Sequence, residues 1–193
     1  MIDQRATETR RRRYDRIAPF YDLMELMNEQ RMRPWREKLW AQVPPVSVLE
    51  VGVGTGKNFE YHSKDARMTG IDFSPRMLER ARQRAAQLGD PIELLQMDAQ
   101  AMEFPDGSFD AAVATCVFYS VPDPMQGLCE VKRVVKLGGP VFLMEHMRHS
   151  NLIIGAVMDA LTPLVRLMGP DTPHLRWVQV STGARWITSA PPD

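Results

Sequence analysis

The sequence has little cysteine, no net charge and no long apolar run. Only Cys116 and Cys129 occur in its 193 residues, too few for a disulfide framework or a cysteine-based metal cluster, so we expect a reducing cytoplasm and no bound metal. The 24 basic and 24 acidic residues cancel, and no overall field favours nucleic acid. No stretch of about 18 uncharged apolar residues occurs, and no apolar region follows the basic amino terminus, so the sequence predicts neither a membrane span nor export.

Two common glycine-loop patterns are also absent. In the segment VSVLEVGVGTGKN, an apolar β-branched run predicts a buried strand that breaks into Gly52, Gly54 and Gly56. The dinucleotide pattern GxGxxG fails because Lys57 stands where its third glycine belongs. The phosphate-loop pattern fails because Val51 stands in place of its first glycine. We therefore expect no tight binding of NAD or ATP.

What remains is the pattern ExGxGxG, with Glu50 at the end of the predicted strand. A carboxylate there would repel a pyrophosphate but suits a cationic or amine-bearing ligand. The segment resembles motif I of the class I S-adenosylmethionine-dependent methyltransferases. The resemblance implies a Rossmann-like α/β fold with a doubly wound, mostly parallel sheet. It also implies S-adenosylmethionine as the cofactor, bound near Glu50 and the three glycines.

Acidic residues follow the next two predicted strands. Residues 66–72 predict a second strand that ends on Asp72, the position that holds ribose hydroxyls in α/β nucleotide sites. Residues 92–97 predict a third strand, followed directly by Asp98. The family resemblance implies that Asp98 takes the adenine amino group, that the amide of Ala99 meets the ring, and that Phe73 belongs to the same site. The alternative for Asp98 is an ordinary turn residue.

A fourth predicted strand, within FDAAVATCVFYS, leads to the same edge of the sheet. We expect it to deliver five residues there: Thr115, Cys116, Phe118, Tyr119 and Ser120. The resemblance assigns Thr115 and Cys116 to the cofactor site. A cysteine in an apolar strand is usually an inert small hydrophobe, so Cys116 is not expected to act as a nucleophile.

Methyl transfer from a sulfonium requires mainly alignment of the reactants and exclusion of water. A protonated amine or thiol acceptor also requires a group that takes its proton. His146, in the predicted fifth strand PVFLMEHM, and Tyr119 are the candidates for this role. Both also have packing as an alternative role.

Two helices are predicted between these strands. Ser74 and Pro75 predict the start of one helix, which ends at Gly89 and carries four arginines that we expect in solvent. Residues 129–139, CEVKRVVKLGG, predict an amphipathic helix that ends on glycine. This segment resembles the family signature ExxRVLKPGG, with Leu137 in place of proline.

The amino-terminal segment is charged and helix-prone. Its stretch YDRIAPFYDLMELM resembles ubiquinone/menaquinone C-methyltransferases and bacterial phospholipid N-methyltransferases, in which this segment covers the cofactor. We therefore expect a helical lid at residues 1–40 that carries Tyr14 and Tyr21, and a cofactor-binding domain at residues 41–193. The four arginines at 10–13 predict a solvated helix face or a contact with an anionic membrane surface.

The sequence leaves the acceptor open. The amino-terminal resemblance favours a lipophilic acceptor, either a phospholipid amine or a quinone precursor, whereas TCVFYSVPDP with FLMEHM resembles alkyl thiol methyltransferases. An alternative of another class is a non-catalytic cofactor-binding regulator. The apolar run at residues 152–168 predicts a cover helix or a membrane-surface element. The segments LRWVQV and ARWITSA supply at most two short strands, so we expect an incomplete sheet edge, which would invite pairing with a second chain as a homodimer.

Overall fold

The computed structural model describes residues 2–24, 26–145 and 185–186. The helices within this part of the chain are α1 (Gln4–Met24), α2 (Leu26–Trp40), α3 (Pro75–Leu88) and α4 (Pro124–Val134). The strands are β1 (Ser47–Val51), β2 (Arg67–Asp72), β3 (Glu93–Gln96), β4 (Ala111–Thr115), β5 (Val141–Met144) and β6 (Arg185–Trp186). Single 3-10 turns lie at Phe59–Tyr61 and Phe118–Ser120. The predicted helix at 152–168 lies outside the described residues.

The strands form one sheet in the order β3-β2-β1-β4-β5-β6, and each pairs with its neighbours in parallel. The chain runs outward from β1 to β3, and then returns to the other side of β1 with β4. This reversal is the switch point beside which α/β sheets bind ligands, at the carboxyl ends of their strands. The predicted doubly wound parallel fold is confirmed. The short β6 pairs with β5 at the edge that the sequence left incomplete.

Strands β1 and β4 are buried along their whole length because helices cover both faces of the sheet. On one face, Leu39 and Trp40 of α2 pack with Val48 and Val113. On the other face, Val131 and Val134 of α4 pack in a cluster of buried apolar side chains with Leu49, Val51, Ala112 and Ala114 of the sheet. Each fully buried valine or leucine of these clusters contributes about 1.5–3 kcal/mol of stability. Helix α2 belongs to this core, and the division into a lid at residues 1–40 and a domain at residues 41–193 stays a prediction.

The two predicted helices have different outcomes. The start of α3 is confirmed: Ser74 Oγ accepts a hydrogen bond of 3.1 Å from the Met77 amide, and Gly89 ends the helix with φ 65°. The prediction for α4 was wrong in its boundaries. The helix begins five residues earlier than residue 129, at Pro124, where Asp123 caps it. It ends at Val134 because the next residue leaves the helix to form a bridge with the strand segment before β4.

Among the described residues, no helix combines the length and the apolar character that crossing a bilayer requires.

Candidate functional site

A cleft at the carboxyl edge of the sheet collects most of the residues singled out from the sequence. The predicted site residues that line it are Tyr14, Tyr21, Gly52, Gly54, Asp72, Phe73, Asp98, Ala99, Thr115, Cys116 and Tyr119. Two others, Glu50 and Gly56, are buried beside the cleft without lining it. His146 lies outside the described residues, so its role stays a prediction.

The glycine loop after β1 requires glycine for two different reasons. Gly52, Gly54 and Gly56 all have positive φ angles, of 67°, 55° and 80°. A Cβ on Gly52 would lie 2.5 Å from Val117 Cγ2, and one on Gly56 would lie 2.5 Å from the Phe59 ring. A Cβ on Gly54 would meet nothing within 4 Å. The loop is therefore closely packed at its ends and open toward the cleft in its middle, where a ligand can approach the backbone.

Asp72, at the tip of β2, is held by two backbone donors. Its Oδ1 accepts from the Ser74 amide at 2.9 Å, and its Oδ2 accepts from the Gly54 amide at 2.9 Å. Burial raises the pKa of the Asp72 carboxyl to about 6, against the effect of the two amides, which lower it. Each carboxylate oxygen keeps a second lone pair, so the ionised group can also accept two ligand hydroxyls.

Asp98, after β3, has side-chain partners within the protein. Both of its oxygens lie 3.0–3.1 Å from Gln100 Nε2, and Oδ1 also accepts from the Gln100 amide at 2.9 Å. Thr7 Oγ1 of α1 donates to Oδ2 at 3.5 Å. The structure places Asp98 and Ala99 in the cleft as expected, and the adenine contact stays a prediction.

Helix α1 lies across the open edge of the cleft. Its polar side chains contact the tips of four strands or the loops that follow them. The contacts pair Thr7 with Asp98, Arg10 with the Ser120 carbonyl, Asp15 with Ser74, and Asp22 with Thr55, the last two at 2.6 Å. The Tyr14 ring also packs edge-on against Phe73, with the ring centroids 5.5 Å apart. The expected lid position of this helix is therefore supported by contacts along its whole length.

These contacts also correct the predicted surface arginines. Arg80 and Arg84 of α3 were expected in solvent, but both pair with Asp22, at 3.2 and 2.9 Å. In the run at 10–13, Arg11 bonds Glu8 and Asp15. Only Arg12 of that run is exposed, and it also pairs with Glu8. The reason is that α1 packs against α3 and the sheet edge rather than projecting into water.

A buried polar network lies beneath the glycine loop. Asn58 donates to Glu50 Oε1 at 2.6 Å and to Thr115 Oγ1 at 2.8 Å. Its Oδ1 accepts from Arg36 of α2. Glu50 is fully buried, so in this structure it supports the loop from below and does not face the cleft.

His62 completes this network on the far side of Glu50. Its two ring nitrogens lie 3.0 Å from Glu50 Oε2 and 2.7 Å from Asp90 Oδ2. Burial lowers the pKa of His62, but the hydrogen bonds to Asp90 and Glu50 outweigh it and raise the pKa to about 9. The ring is therefore a cation at neutral pH, held between two carboxylates.

The turn after β4 is held by a carboxylate that the sequence reasoning did not select. Glu145 Oε1 accepts from the amides of Val117 and Phe118, at 3.0 and 2.9 Å. Burial raises the pKa of Glu145 to about 7, although these amides lower it. The turn begins at Cys116, a non-glycine residue with φ 58°. Phe118, which was predicted to reach the edge, instead packs into the core.

Tyr119 reaches the cleft as predicted. Burial raises the pKa of its phenol well above the usual value, so the group is protonated at neutral pH. In that form it donates a hydrogen bond and does not take a proton. Its role as proton acceptor stays a prediction, which this environment disfavours.

Among the cleft residues that were not predicted from the sequence are Arg36, Lys57 and Asn58. Lys57 and Asn58 directly follow the glycine loop, and this position next to the motif could have identified them as site residues from the sequence. Arg36 comes from α2, where the sequence offers no comparable signal.

The fold and the cleft together define an α/β protein that binds a nucleoside at the switch point of its sheet. A family described as "Methyltransferase domain" matches residues 49–143. The phosphatidylethanolamine N-methyltransferase of Cereibacter sphaeroides is 41% identical over 124 residues, 63% of this chain and 61% of that protein. The ubiquinone/menaquinone biosynthesis C-methyltransferase of Hahella chejuensis is 30% identical over 187 residues, 87% of this chain and 74% of that protein.

A solved structure of an S-adenosylmethionine-dependent methyltransferase from Thermotoga maritima has the same fold, with a TM-score of 0.63 and 23% identity. The superposition covers 78% of the present chain and 68% of the Thermotoga chain. The chain belongs to the class I S-adenosylmethionine-dependent methyltransferase family. The chain spans 61% of the length of the Cereibacter relative.

The residues of the cleft fit S-adenosylmethionine. Asp72 keeps lone pairs for ribose hydroxyls, and the absence of a Cβ at Gly54 leaves the loop open. Arg36 Nε is buried 3.2 Å from Glu29 Oε1 and makes no aligned hydrogen bond within the described chain. The cleft thus offers acceptors at one end and a cation at the other.

Proposed function

We propose that the protein transfers the methyl group of S-adenosylmethionine to the amine of a phospholipid headgroup. The observation that carries the transfer is the continuous cleft, which runs from Asp72 past the glycine loop to the turn that bears Tyr119. The cofactor supplies a methyl group on a sulfonium cation. The protein therefore has to align the reactants and exclude water, and α1 lies where it can close the cleft.

The amine acceptor is supported by the Cereibacter relative, whose name specifies phosphatidylethanolamine. An ammonium acceptor must lose a proton before it attacks, and the general base works best with a pKa near the operating pH. Glu145, whose pKa is raised to about 7 by burial, holds the turn that lines the cleft beside Tyr119 but does not line the cleft itself, so we do not assign it as this base. A quinone precursor is the second candidate, because the name of the Hahella relative specifies C-methylation in quinone biosynthesis.

We expect label from methyl-labelled S-adenosylmethionine to appear in phosphatidylethanolamine when the protein is incubated with vesicles that contain this lipid. The parallel acceptors are a demethylated quinone precursor and an alkyl thiol, and the control is the Asp72→Ala variant. Transfer to the quinone or the thiol alone would replace the amine assignment. Cofactor binding without transfer to any of the three would favour the non-catalytic regulator.

We further propose a cytoplasmic protein that contacts an anionic membrane surface through the junction of α1 and α2. Four apolar side chains there are 46–72% exposed: Phe20, Leu23, Met24 and Leu26. Arg16, one turn before Phe20, is exposed as well. An apolar tip beside a basic residue is typical of an interfacial contact. The run at 10–13 contributes less, because Arg10 and Arg11 already have partners within the protein.

Replacing Phe20 and Leu23 together with serine should reduce cosedimentation with anionic vesicles about tenfold or more, since two apolar side chains no longer enter the interface. Leu137→Ser is the matched control, because this leucine is fully exposed but precedes β5, at the opposite edge of the sheet. A third variant replaces the four arginines at 10–13 with glutamine. Loss of vesicle binding in the arginine variant alone would show that the arginine run makes the contact. Equal binding by all forms would refute the proposal that the apolar junction of α1 and α2 contacts the membrane.

A further inference from the structure

The turn that follows β4 has an uncommon backbone conformation. Cys116 has φ 58°, and it is the only non-glycine residue with a positive φ in the part of the chain that the structure describes. Val117 follows in the right-handed helical region, with φ −114° and ψ −54°. A left-handed residue beside a right-handed one directs successive backbone amides into one concavity, which suits an acceptor oxygen. Such a backbone persists only where the surrounding structure holds it.

The end of β5 supplies what holds this turn. Glu145 Oε1 accepts from the Val117 amide at 3.0 Å and from the Phe118 amide at 2.9 Å. The Cys116 amide donates to the Met144 carbonyl at 2.7 Å. A single carboxylate oxygen can accept both amides because it has two lone pairs. The side chain of Glu145 therefore fills the concavity and fixes the positions of the residues that follow Cys116.

The other oxygen of the same carboxylate adds nothing to the fold. Glu145 Oε2 is buried and makes no hydrogen bond within the described chain. A buried oxygen without a partner lowers stability. A strained turn that is held by a side chain with an unsatisfied oxygen is typical of a functional site.

The turn forms one wall of the cleft. Residues 115–117 and 119–122 line it there. Burial raises the pKa of the Tyr119 phenol, and the nearby phenols of Tyr14 and Tyr21 on α1 raise it further. The turn therefore brings Tyr119 close to the helix that covers the cleft, on the side away from Asp72.

We infer that Glu145 is a positioning residue for methyl transfer: it fixes the turn at residues 116–120, and so holds the Tyr119 wall of the cleft against the acceptor. Glu145 does not line the cleft itself, so it acts through the backbone of the turn. The inference rests on the proposed function, because it has the acceptor meet the cofactor beside this wall. What matters is the reach of the side chain to two amides, and substitutions can separate this reach from the charge.

The test measures methyl transfer to vesicles of phosphatidylethanolamine, with S-adenosylmethionine saturating. Glu145→Gln keeps an oxygen that can accept both amides, so its kcat/KM for the lipid should stay within about threefold of the wild type. Glu145→Asp keeps the charge but is one methylene too short to reach the amides, and Glu145→Ala has no acceptor. Both should lose about ten- to a hundredfold in kcat/KM, the effect of a displaced wall.

The turn can also be observed without turnover, through its own thiol. Cys116 is half-buried, whereas Cys129 is exposed and serves as the internal reference. In ligand-free Glu145→Asp and Glu145→Ala, alkylation of Cys116 relative to Cys129 should rise about fivefold or more, because the turn opens. Glu145→Gln should keep the wild-type ratio.

Asp110→Ala is the matched control. This substitution also removes a carboxylate that accepts a backbone amide, that of Ser47 at 3.1 Å, but at the opposite end of β4. It should change neither the thiol ratio nor kcat/KM for the lipid.

A loss of kcat/KM in Glu145→Gln as large as that in Glu145→Asp, or larger, would overturn the inference, because the charge would then matter. Variants that melt at lower temperature but keep the wild-type kcat/KM and thiol ratio would show that Glu145 serves the fold alone. If circular dichroism shows that Glu145→Ala does not fold, the glutamine and aspartate variants decide.

A wild-type protein that transfers no methyl group to the lipid would instead refute the proposed acceptor. The kinetic comparison is then made with whichever of the quinone precursor and the alkyl thiol is methylated. The thiol ratio tests the turn in every case, and an unchanged ratio in Glu145→Asp refutes the positioning role of Glu145.

Discussion

Asp72→Ala should lower the affinity for S-adenosylhomocysteine at least tenfold while the protein stays folded. A carboxylate that accepts two ribose hydroxyls makes charge-assisted hydrogen bonds of roughly 1.5–3 kcal/mol each, and every 1.4 kcal/mol or so is a factor of ten. The melting temperature should change little, because removal of a buried carboxylate offsets the loss of its bonds to Ser74 and Gly54. Calorimetry and thermal unfolding of the same samples measure both quantities.

The pH dependence of this affinity provides an independent readout. The pKa of Asp72 is about 6 in the ligand-free protein, and the ionised form is the one that accepts both hydroxyls. We therefore expect a constant dissociation constant above about pH 7 and a rising one as the pH falls through 6, by up to tenfold per pH unit. The variant should lack this dependence. An affinity that is unchanged by the substitution, at any pH, would show that the ribose lies elsewhere.

The course of the sheet could be predicted from the sequence because its signals are local. The β-branched run before Gly52 and the acid at Asp72 mark the ends of buried parallel strands, and parallel strands bring their carboxyl ends to one edge. The cap at Ser74 and the glycine at Gly89 likewise fixed α3. In each case one short segment contains both the pattern and the chemistry that explains it.

The ends of α4 could not be predicted in the same way. Val135 fits the apolar pattern of the helix, but it forms a bridge with Phe109, and the Lys136 amide bonds to the Phe109 carbonyl at 2.8 Å. The competing partner lies far away in the sequence, so no local pattern contains it. Phe118 gave the same kind of error, since the turn held by Glu145 directs it into the core.

Charge pairing was the least predictable part of the site. Arg36 lies 22 residues before Asn58 and 79 before Thr115, with which it bonds. Asp22 pairs with Arg80 and Arg84 only because α1 crosses the cleft near α3. An arginine on a predicted helix has the same local pattern whether it faces water or a buried acid. Tertiary packing decides between the two.

The pairing of Glu50, His62 and Asp90 could not be predicted from the sequence either, because tertiary packing brings the three together as a buried charged triad. The side chains are 1%, 3% and 9% exposed. Removing one partner of a buried ion pair is strongly destabilising because the remaining charge has no counterion. The folded-state pKa of His62, about 9, lies above the ordinary value of 6.5. By linkage this contributes roughly 3 kcal/mol of stability, fully present below pH 6.5 and lost as the pH rises through 9.

His62→Gln should therefore lower the free energy of unfolding by about 3 kcal/mol at pH 6, and by much less at pH 9.5. Between pH 6.5 and 9, the wild-type protein should lose about 1.2 kcal/mol per pH unit, and the variant should lose none of this component. Urea unfolding at a series of pH values measures both. Tyr61→Phe, on the same turn but without a bond to Glu50 or Asp90, is the matched control and should keep the wild-type slope. If His62→Gln also keeps that slope, the ring is not the cation that bridges the two carboxylates, and another group titrates in this range.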